Sequence, residues 1–138
     1  MVYYTSVIKQ KNRLVVTLIQ KLLSPKEGHD MFYLGNAFSL QMIDTKEMHN
    51  ITVKPLIKEE VNALLYDREF ISCVGHADTA AVLDAMLEAH IECNRVNVKL
   101  TEDDVLIVAQ VCGGRLPEGA TTLPDNFSLT FLHVTLDD

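Results

Sequence analysis

The sequence has no apolar run long enough to cross a membrane as a helix. A single span needs about 18 or more consecutive apolar residues, and polar or charged residues interrupt every run before that length. The N-terminal apolar stretch from Leu14 to Leu23 contains Lys21, and no small-residue cleavage site follows a clean apolar core. We therefore expect neither a membrane span nor a secretory signal, and we predict a cytoplasmic location.

Cysteine is scarce as well. The three cysteines, Cys73, Cys93 and Cys112, are odd in number, and no two of them form a C-x-x-C pair. This usage is typical of a reducing compartment, where cysteine packs as a small apolar residue. The sequence therefore predicts three buried free thiols.

Positive charge is scarce over most of the chain and is concentrated at the N-terminus. Residues 1–28 carry five basic side chains against Glu27 alone, a net charge of +4, whereas residues 29–138 carry 7 basic and 18 acidic side chains, a net charge of −11. Binding of long nucleic acids depends on neutralising many phosphates. General duplex binding by the acidic body is therefore not expected, although a small anion held by a few placed groups is compatible with it.

The common signatures of metal and nucleotide chemistry are also missing. The sequence contains no H-E-x-x-H, no G-x-S-x-G and no paired Cys/His set. Gly113-Gly114-Arg115 is not followed by the Lys-Ser/Thr pair of a Walker loop. We therefore expect no metal and no cofactor.

What the sequence does contain is an alternation of short apolar runs with amphipathic segments, the pattern of an α/β domain. We expect one domain over residues 31–138, with a central mixed sheet of about five strands flanked by helices. Asp78 or Thr79 is the predicted cap of the second helix. Strands are predicted at 32–34, 51–53 (ended by Pro55), 70–74, 96–100, 105–111 and 128–136, and helices at 58–67 and from the cap to about 89.

Residues 1–30 are interpreted as a basic N-terminal extension. Apolar residues between Ser6 and Leu23 have nearly helical spacing, but residues 14–19 favour a strand, so the type of structure stays open. Ser24-Pro25 is then expected to end this segment, and a self-contained pattern of apolar and polar residues begins at Met31.

Polar residues follow or open several of the predicted strands, in the segments 36–39, 75–79, 94–96 and 114–119. Loops at strand ends often carry function, and a helix N-terminus presents N–H groups to phosphate. The four segments therefore predict a candidate anion site.

Each of these residues also has a purely structural explanation. His76 could form a local hydrogen bond before the helix, and Arg115 with Glu118 could be a surface ion pair worth less than about 1 kcal/mol. Asn36 and Ser39 could stabilise a turn and nothing more. From the residues alone, the two interpretations stay open.

The same four segments, in this order, resemble the viral ring nucleases, the type III anti-CRISPR enzymes of archaeal viruses and phages that also occur in bacterial genomes. Three positions depart from the resemblance: Ala77-Asp78 stands where Asp-Ser is more common, and Gln41 replaces a common asparagine. The resemblance covers about residues 31–136, and its matching stretches read YLGNAFSLQM (33–42), VGHADT (74–79), NRVNVKL (94–100) and GRLPEGA (114–120).

This resemblance implies a small α/β domain that forms a symmetric homodimer, binds cyclic tetra-adenylate and linearises it without a metal. The products would be linear di-adenylate ending in a 2′,3′-cyclic phosphate, and type III CRISPR signalling would be switched off. By resemblance, the catalytic residues are His76, Arg115 and Glu118, and the ligand-binding residues are Asn36, Ser39, Thr79, Arg95 and Gln110.

The residue types agree with this chemistry. RNA supplies its own nucleophile, the ribose 2′-hydroxyl, so the protein has to align it, protonate the departing 5′-oxygen and balance the charge on phosphorus. Histidine exchanges protons near neutral pH, and the arginine fork matches phosphate oxygens. Three alternatives stay open: a sensor or sponge that binds the ring without cleaving it, an interaction module that uses the basic arm, and a structural protein with an inactive pocket.

Deleting residues 1–30 tests the proposed boundary. We expect residues 31–138 to fold without the arm, because the alternating pattern is complete from Met31 onwards. Circular dichroism and a cooperative thermal transition of the shortened chain would check this. An unfolded product would mean that the arm belongs to the core.

Overall fold

A computed structural model describes residues 31–137, in which five strands form one mixed sheet. The predicted N-terminal extension, residues 1–30, lies outside the described residues, as does Asp138. Within the described range the strands are β1 Phe32–Gly35, β2 Ile51–Leu56, β3 Ile71–Cys73, β4 Val105–Cys112 and β5 Ser128–Leu136, and the α-helices are α1 Lys58–Leu65 and α2 Ala77–Met86. The predicted α/β domain with a five-stranded mixed sheet is confirmed.

The strand order is β2-β5-β4-β1-β3. Strand β1 pairs in parallel with both β3 and β4, whereas β5 is antiparallel to β4 and to β2. Strand β4 lies at the centre, and its first five residues are all buried, which explains their almost continuous apolar character.

Both helices pack on one face of the sheet. The apolar face of α1 includes Val61 and Leu64, that of α2 includes Leu83, and both meet Leu34 and Ile107 from the central strands. The opposite face is covered by irregular segments of the chain, which bring Ile43, Val98 and Leu100 onto Leu106, Val108 and Val134. The expectation of helices flanking the sheet therefore holds for one face of it.

The predicted strand at residues 96–100 is wrong. Val98 and Leu100 are buried while Asn97 and Lys99 are exposed, so the alternation holds from residue 97 onwards, although Val96 is exposed. The segment nevertheless lies across the sheet face, and its Leu100 N–H donates to the Met42 carbonyl at 2.7 Å. A loop that covers a sheet can thus produce the same period of two as a strand inside it.

Pro55 does not end its strand, contrary to the prediction. Strand β2 continues to Leu56, and Pro55 is paired with Leu132 of β5. Because β2 is an edge strand, one side of its backbone needs no ladder partner, and a residue without an N–H is tolerated there.

The cysteines are free thiols, but they are less buried than predicted: Cys73 and Cys112 are half-buried, and Cys93 is exposed. Burial raises the pKa of the Cys73 thiol to about 11, so this thiol is protonated at neutral pH and is a poor nucleophile. No helix among residues 31–137 is long and apolar enough to cross a membrane.

Gly35 is required where β1 meets β3. It lies opposite Cys73 in the register, and a Cβ built on Gly35 would be 2.8 Å from the Cys73 Sγ. The Sγ itself donates to the Leu34 carbonyl at 3.5 Å. The glycine is thus needed for space at a crowded strand pair, with no demand on its backbone angles.

Substituting Gly35→Ala should lower the free energy of unfolding by about 1–3 kcal/mol, because the new methyl group overpacks the contact with Cys73. Urea denaturation would measure the loss, and the double variant Gly35→Ala/Cys73→Ala should recover part of it. Gly75→Ala is the matched control, since a Cβ there comes no closer than 3.8 Å to the Arg95 Cγ. Equal losses in both single variants would contradict the steric explanation.

Candidate functional site

The carboxyl ends of β1, β3 and β4 lie at the same edge of the sheet, because the three strands are parallel neighbours. Three of the polar segments follow these ends: β1 is followed by Asn36, β3 by Gly75 and His76, and β4 by the segment 113–120. In open α/β sheets this edge is the usual place for a ligand crevice. The topology therefore brings together segments that are up to 84 residues apart in the chain.

Gly75 is the residue at which three of these segments meet. Its N–H donates to the Asn36 Oδ1 at 3.2 Å, and its carbonyl accepts from the Arg95 Nε at 2.7 Å. The backbone immediately before His76 is thus fixed from both sides, by the end of β1 and by the segment 94–96. Two predicted ligand-binding residues, Asn36 and Arg95, are therefore joined through one residue, Gly75, which directly precedes the predicted catalytic histidine.

The segment that carries Arg95 is itself held along the edge strand β3. The Asn94 N–H donates to the Val74 carbonyl at 2.8 Å, and the Asn94 amide nitrogen donates to the Ser72 carbonyl at the same distance. The Ser72 hydroxyl donates in turn to the Glu92 carbonyl at 2.6 Å. Arg95 thus projects from a segment that is anchored by several hydrogen bonds.

His76 occupies the N-cap position of α2, with an extended backbone at φ −127° and ψ 128°. Its carbonyl accepts from the Ala80 N–H at 3.0 Å, which starts the helix. Within the described residues the His76 side chain makes no capping hydrogen bond, and it is exposed. The imidazole is therefore presented at the helix N-terminus.

The prediction that Asp78 or Thr79 caps α2 is wrong, because both residues lie inside its first turn. Thr79 is buried, with 8% of its surface exposed. Asp78 is used over a long range: its Oδ1 accepts from the Gly119 N–H at 3.0 Å, 41 residues further along the chain. Nothing in the local sequence around Asp78 signals this contact.

The loop 113–120, which follows β4, carries the other two predicted catalytic residues, Arg115 and Glu118. Both side chains are exposed. The loop leaves the strand through Gly113 and Gly114, whose φ angles of 122° and 124° are accessible to glycine and strained for other residues. Through Gly119 and Asp78, this loop is held against the first turn of α2, two residues from His76.

Ser39 and Gln110 lie away from the junction, the name used here for Asn36, His76, Arg95 and the 113–120 loop. The Ser39 Oγ accepts from the Gln41 N–H at 3.2 Å and caps a 3-10 turn at Leu40–Met42. Gln110 is exposed on β4 opposite Thr130, and strand alternation places its side chain on the sheet face away from the helices. The structure therefore brings Asn36, His76, Arg95 and the 113–120 loop into one connected set, with Ser39, Thr79 and Gln110 outside its hydrogen bonds.

The described residues form two clefts, one beside this junction and one far from it. One, of about 560 Å³, is lined by residues 39–43 and 96–99, among them Ser39. Its wall is tied together by Lys99, whose Nζ donates to the Gln41 carbonyl at 2.7 Å, a contact that the sequence reasoning missed. The other, of about 610 Å³, lies at the opposite end of β1 and β3 and is lined by Met31 and Arg68, among others. Neither is lined by His76, Arg115 or Glu118.

The charges at the junction are mixed. Arg95 and Arg115 supply positive charge, the first turn of α2 adds the partial positive charge of a helix N-terminus, and Asp78 and Glu118 are acidic. Among residues 31–137, no three His, Cys, Asp or Glu side chains come together as a metal site would require.

Comparisons with known proteins agree on a family. The sequence pattern of the family described as STIV B116-like matches residues 32–128. Protein 26 of Sulfolobus islandicus filamentous virus is 36% identical over 89 residues, which is 64% of this chain and 74% of that protein. The structure of B116 of Sulfolobus turreted icosahedral virus is similar with a TM-score of 0.62 and 26% identity, over 76% of this chain and 98% of that one.

Replacing Asn36 by alanine should destabilise the junction, because the half-buried Gly75 N–H loses its acceptor. We expect the free energy of unfolding to fall by about 1–2 kcal/mol, measured by urea denaturation. Asn36→Asp, which keeps an oxygen at the same place, should lose clearly less. If both variants lost the same amount, the hydrogen bond to Gly75 would not be the reason.

Proposed function

The chain belongs to the STIV B116-like family, a family of viral proteins with an α/β fold, and we propose that it is a metal-independent ring nuclease. Its substrate in this proposal is cyclic tetra-adenylate, which it opens by attack of a ribose 2′-hydroxyl on the adjacent phosphate. In the host, this reaction would remove the second messenger of type III CRISPR immunity.

One observation carries the proposal: the Asp78–Gly119 hydrogen bond holds the loop of Arg115 and Glu118 against the helix that His76 begins. Those three residues come from separate parts of the chain, and the sequence resemblance assigns all three to catalysis. The hydrogen bond joins the two segments that carry these residues. Their convergence at the carboxyl edge of parallel strands also suits a ligand crevice.

The chemistry assigned to these residues balances without a cofactor. The 2′-hydroxyl oxygen forms a bond to phosphorus and loses its proton to water, while the bond from phosphorus to the 5′-oxygen breaks. His76 donates a proton to that departing oxygen, and Arg115 balances the charge that develops on the phosphate oxygens. The role assigned to Glu118 is to hold these groups in the correct orientation. The product end is a 2′,3′-cyclic phosphate.

Ligand binding is assigned to the residues around the junction. The contact with Gly75 uses the Nε–H of Arg95, one of five donors on a guanidinium group, so the terminal amino groups are the ones assigned to a phosphate. The first-turn N–H groups of α2 add donors beside His76. Ser39, Thr79 and Gln110 lie outside these hydrogen bonds, and their proposed ligand contacts rest on the resemblance alone.

A symmetric homodimer completes the proposal. Cyclic tetra-adenylate has a two-fold axis, and a two-fold dimer offers it two identical half-sites. Each subunit would then cleave one of two opposite phosphodiesters, which yields two molecules of linear di-adenylate. The same arrangement explains how an acidic body could bind a small ring of phosphates while it ignores long RNA.

Incubating the protein with cyclic tetra-adenylate in EDTA tests the reaction directly. We expect linear di-adenylate with a 2′,3′-cyclic phosphate, resolved by liquid chromatography and mass spectrometry. Recovery of intact ring with protein in excess would overturn the nuclease proposal. Tight binding of that intact ring would then support the sensor or sponge. Absence of binding would contradict both the nuclease and the sensor or sponge.

Replacing His76 by alanine should slow cleavage by about 10²–10⁴-fold, because the departing oxygen loses its proton donor. Ring binding, measured by calorimetry, should persist. His90→Ala is the matched control, since His90 is also exposed but lines the cleft at the opposite end of the sheet. Cleavage by His76→Ala at the wild-type rate would remove His76 from this role.

A further inference from the structure

We propose that Asp78 is a positioning residue, a latch that holds the 113–120 loop in place over the N-terminus of α2 before any ligand arrives. The inference rests on the proposed function, because the loop carries Arg115 and Glu118. It goes beyond that function in assigning a role to a residue at which this chain departs from the viral ring nucleases, where a serine is more common.

The geometry distinguishes Asp78 from an ordinary acidic residue in the first turn of a helix. Such a residue is favourable because of the helix dipole alone and needs no specific partner. Here the carboxylate Oδ1 lies 3.0 Å from the Gly119 amide nitrogen, and the side chain is half-buried. One side chain thus connects the helix to the loop that follows the carboxyl end of β4.

Within residues 31–137, little else holds the tip of the loop at this point. A Cβ built on Gly119 meets no atom within 4 Å, and the φ of Gly119 is 79°. The nearby Ala120 N–H donates to the Pro117 carbonyl at 3.1 Å, a turn within the loop itself. At the base, in contrast, a Cβ on Gly113 would be 2.9 Å from the Asn126 carbonyl oxygen, so the base is closely packed.

The carboxylate therefore has two opposite effects on a phosphate ligand. As an acceptor, it orders the loop in advance, so that binding does not have to supply that ordering. As a negative charge beside the junction, it repels the same phosphates. A serine hydroxyl at this position would lack the charge and would be a weaker acceptor. The acceptor oxygen of Asp78 thus orders the catalytic loop, while its charge lowers the affinity for the ligand.

The two effects can be separated by two substitutions. Asp78→Asn removes the charge and keeps an acceptor oxygen, whereas Asp78→Ala removes both. Asp84→Ala is the matched control: Asp84 lies on the same helix and accepts from a backbone N–H, that of Ile91 at 2.9 Å, but far from the loop. It changes the net charge by the same amount as the other two variants.

Three quantities are measured for each variant. The exchange of the Gly119 amide proton with water, followed by NMR, reports the latch without any ligand. Calorimetry gives the dissociation constant of cyclic tetra-adenylate, and single-turnover cleavage at saturating ring gives the rate of the chemical step.

In Asp78→Ala we expect Gly119 exchange to rise about tenfold and cleavage to slow about tenfold, as for one lost hydrogen bond. The ring should bind less tightly than to Asp78→Asn, because both variants lose the charge and only Asp78→Ala leaves the loop to be ordered on binding. Asp78→Asn should keep exchange and cleavage within about threefold of the wild type and bind the ring more tightly. Asp84→Ala should match the wild type in Gly119 exchange and in cleavage.

Unchanged Gly119 exchange in Asp78→Ala would overturn the latch. So would an equal loss of cleavage in Asp78→Asn and Asp78→Ala, since the charge and not the acceptor would then matter. The ligand-free exchange measurement keeps this proposal separate from the nuclease assignment. If the wild type fails to cleave the ring, the nuclease proposal fails, and the exchange data alone decide whether Asp78 holds the loop.

Discussion

The parallel pairing of β1 with both β3 and β4 is the constraint on which the rest of the structure depends. It directs three strand ends to one edge of the sheet, so that the residues following them meet whatever their separation in sequence. Gly35 allows this pairing, because a Cβ at this position would come within 2.8 Å of the Cys73 Sγ. Gly75 then joins two of the strand ends and the segment of Arg95 through two hydrogen bonds.

Electrostatics explains how such a site could function in an acidic protein. Residues 29–138 carry a net charge of −11, so attraction of anions over long distances is weak. Within the junction, Arg95, Arg115 and the start of α2 provide local positive charge, while the Asp78 carboxylate is occupied by a backbone N–H. Binding in such a place depends on placed donors and much less on the overall field, which suits a small ligand of fixed shape.

Much of the architecture could be predicted from residue patterns. The two helices, the apolar central strand and the alternating last strand follow from periodicity, which reports the side of each segment that is buried. Two of the failures share one physical cause. Residues 96–100 alternate because they cover a sheet, and Pro55 is tolerated because its strand is an edge. Periodicity reports burial, and it does not report which backbone groups are paired.

The sequence by itself determined the α/β class, the charge distribution and the set of candidate residues, because these depend on composition and on the order of short segments. Only the tertiary structure decided which candidates meet. It joined Asn36 and Arg95 to the residue before His76, left Ser39 and Gln110 elsewhere, and gave Asp78 a partner 41 residues away. Contacts of this range are set by strand order and direction, which the local sequence does not encode.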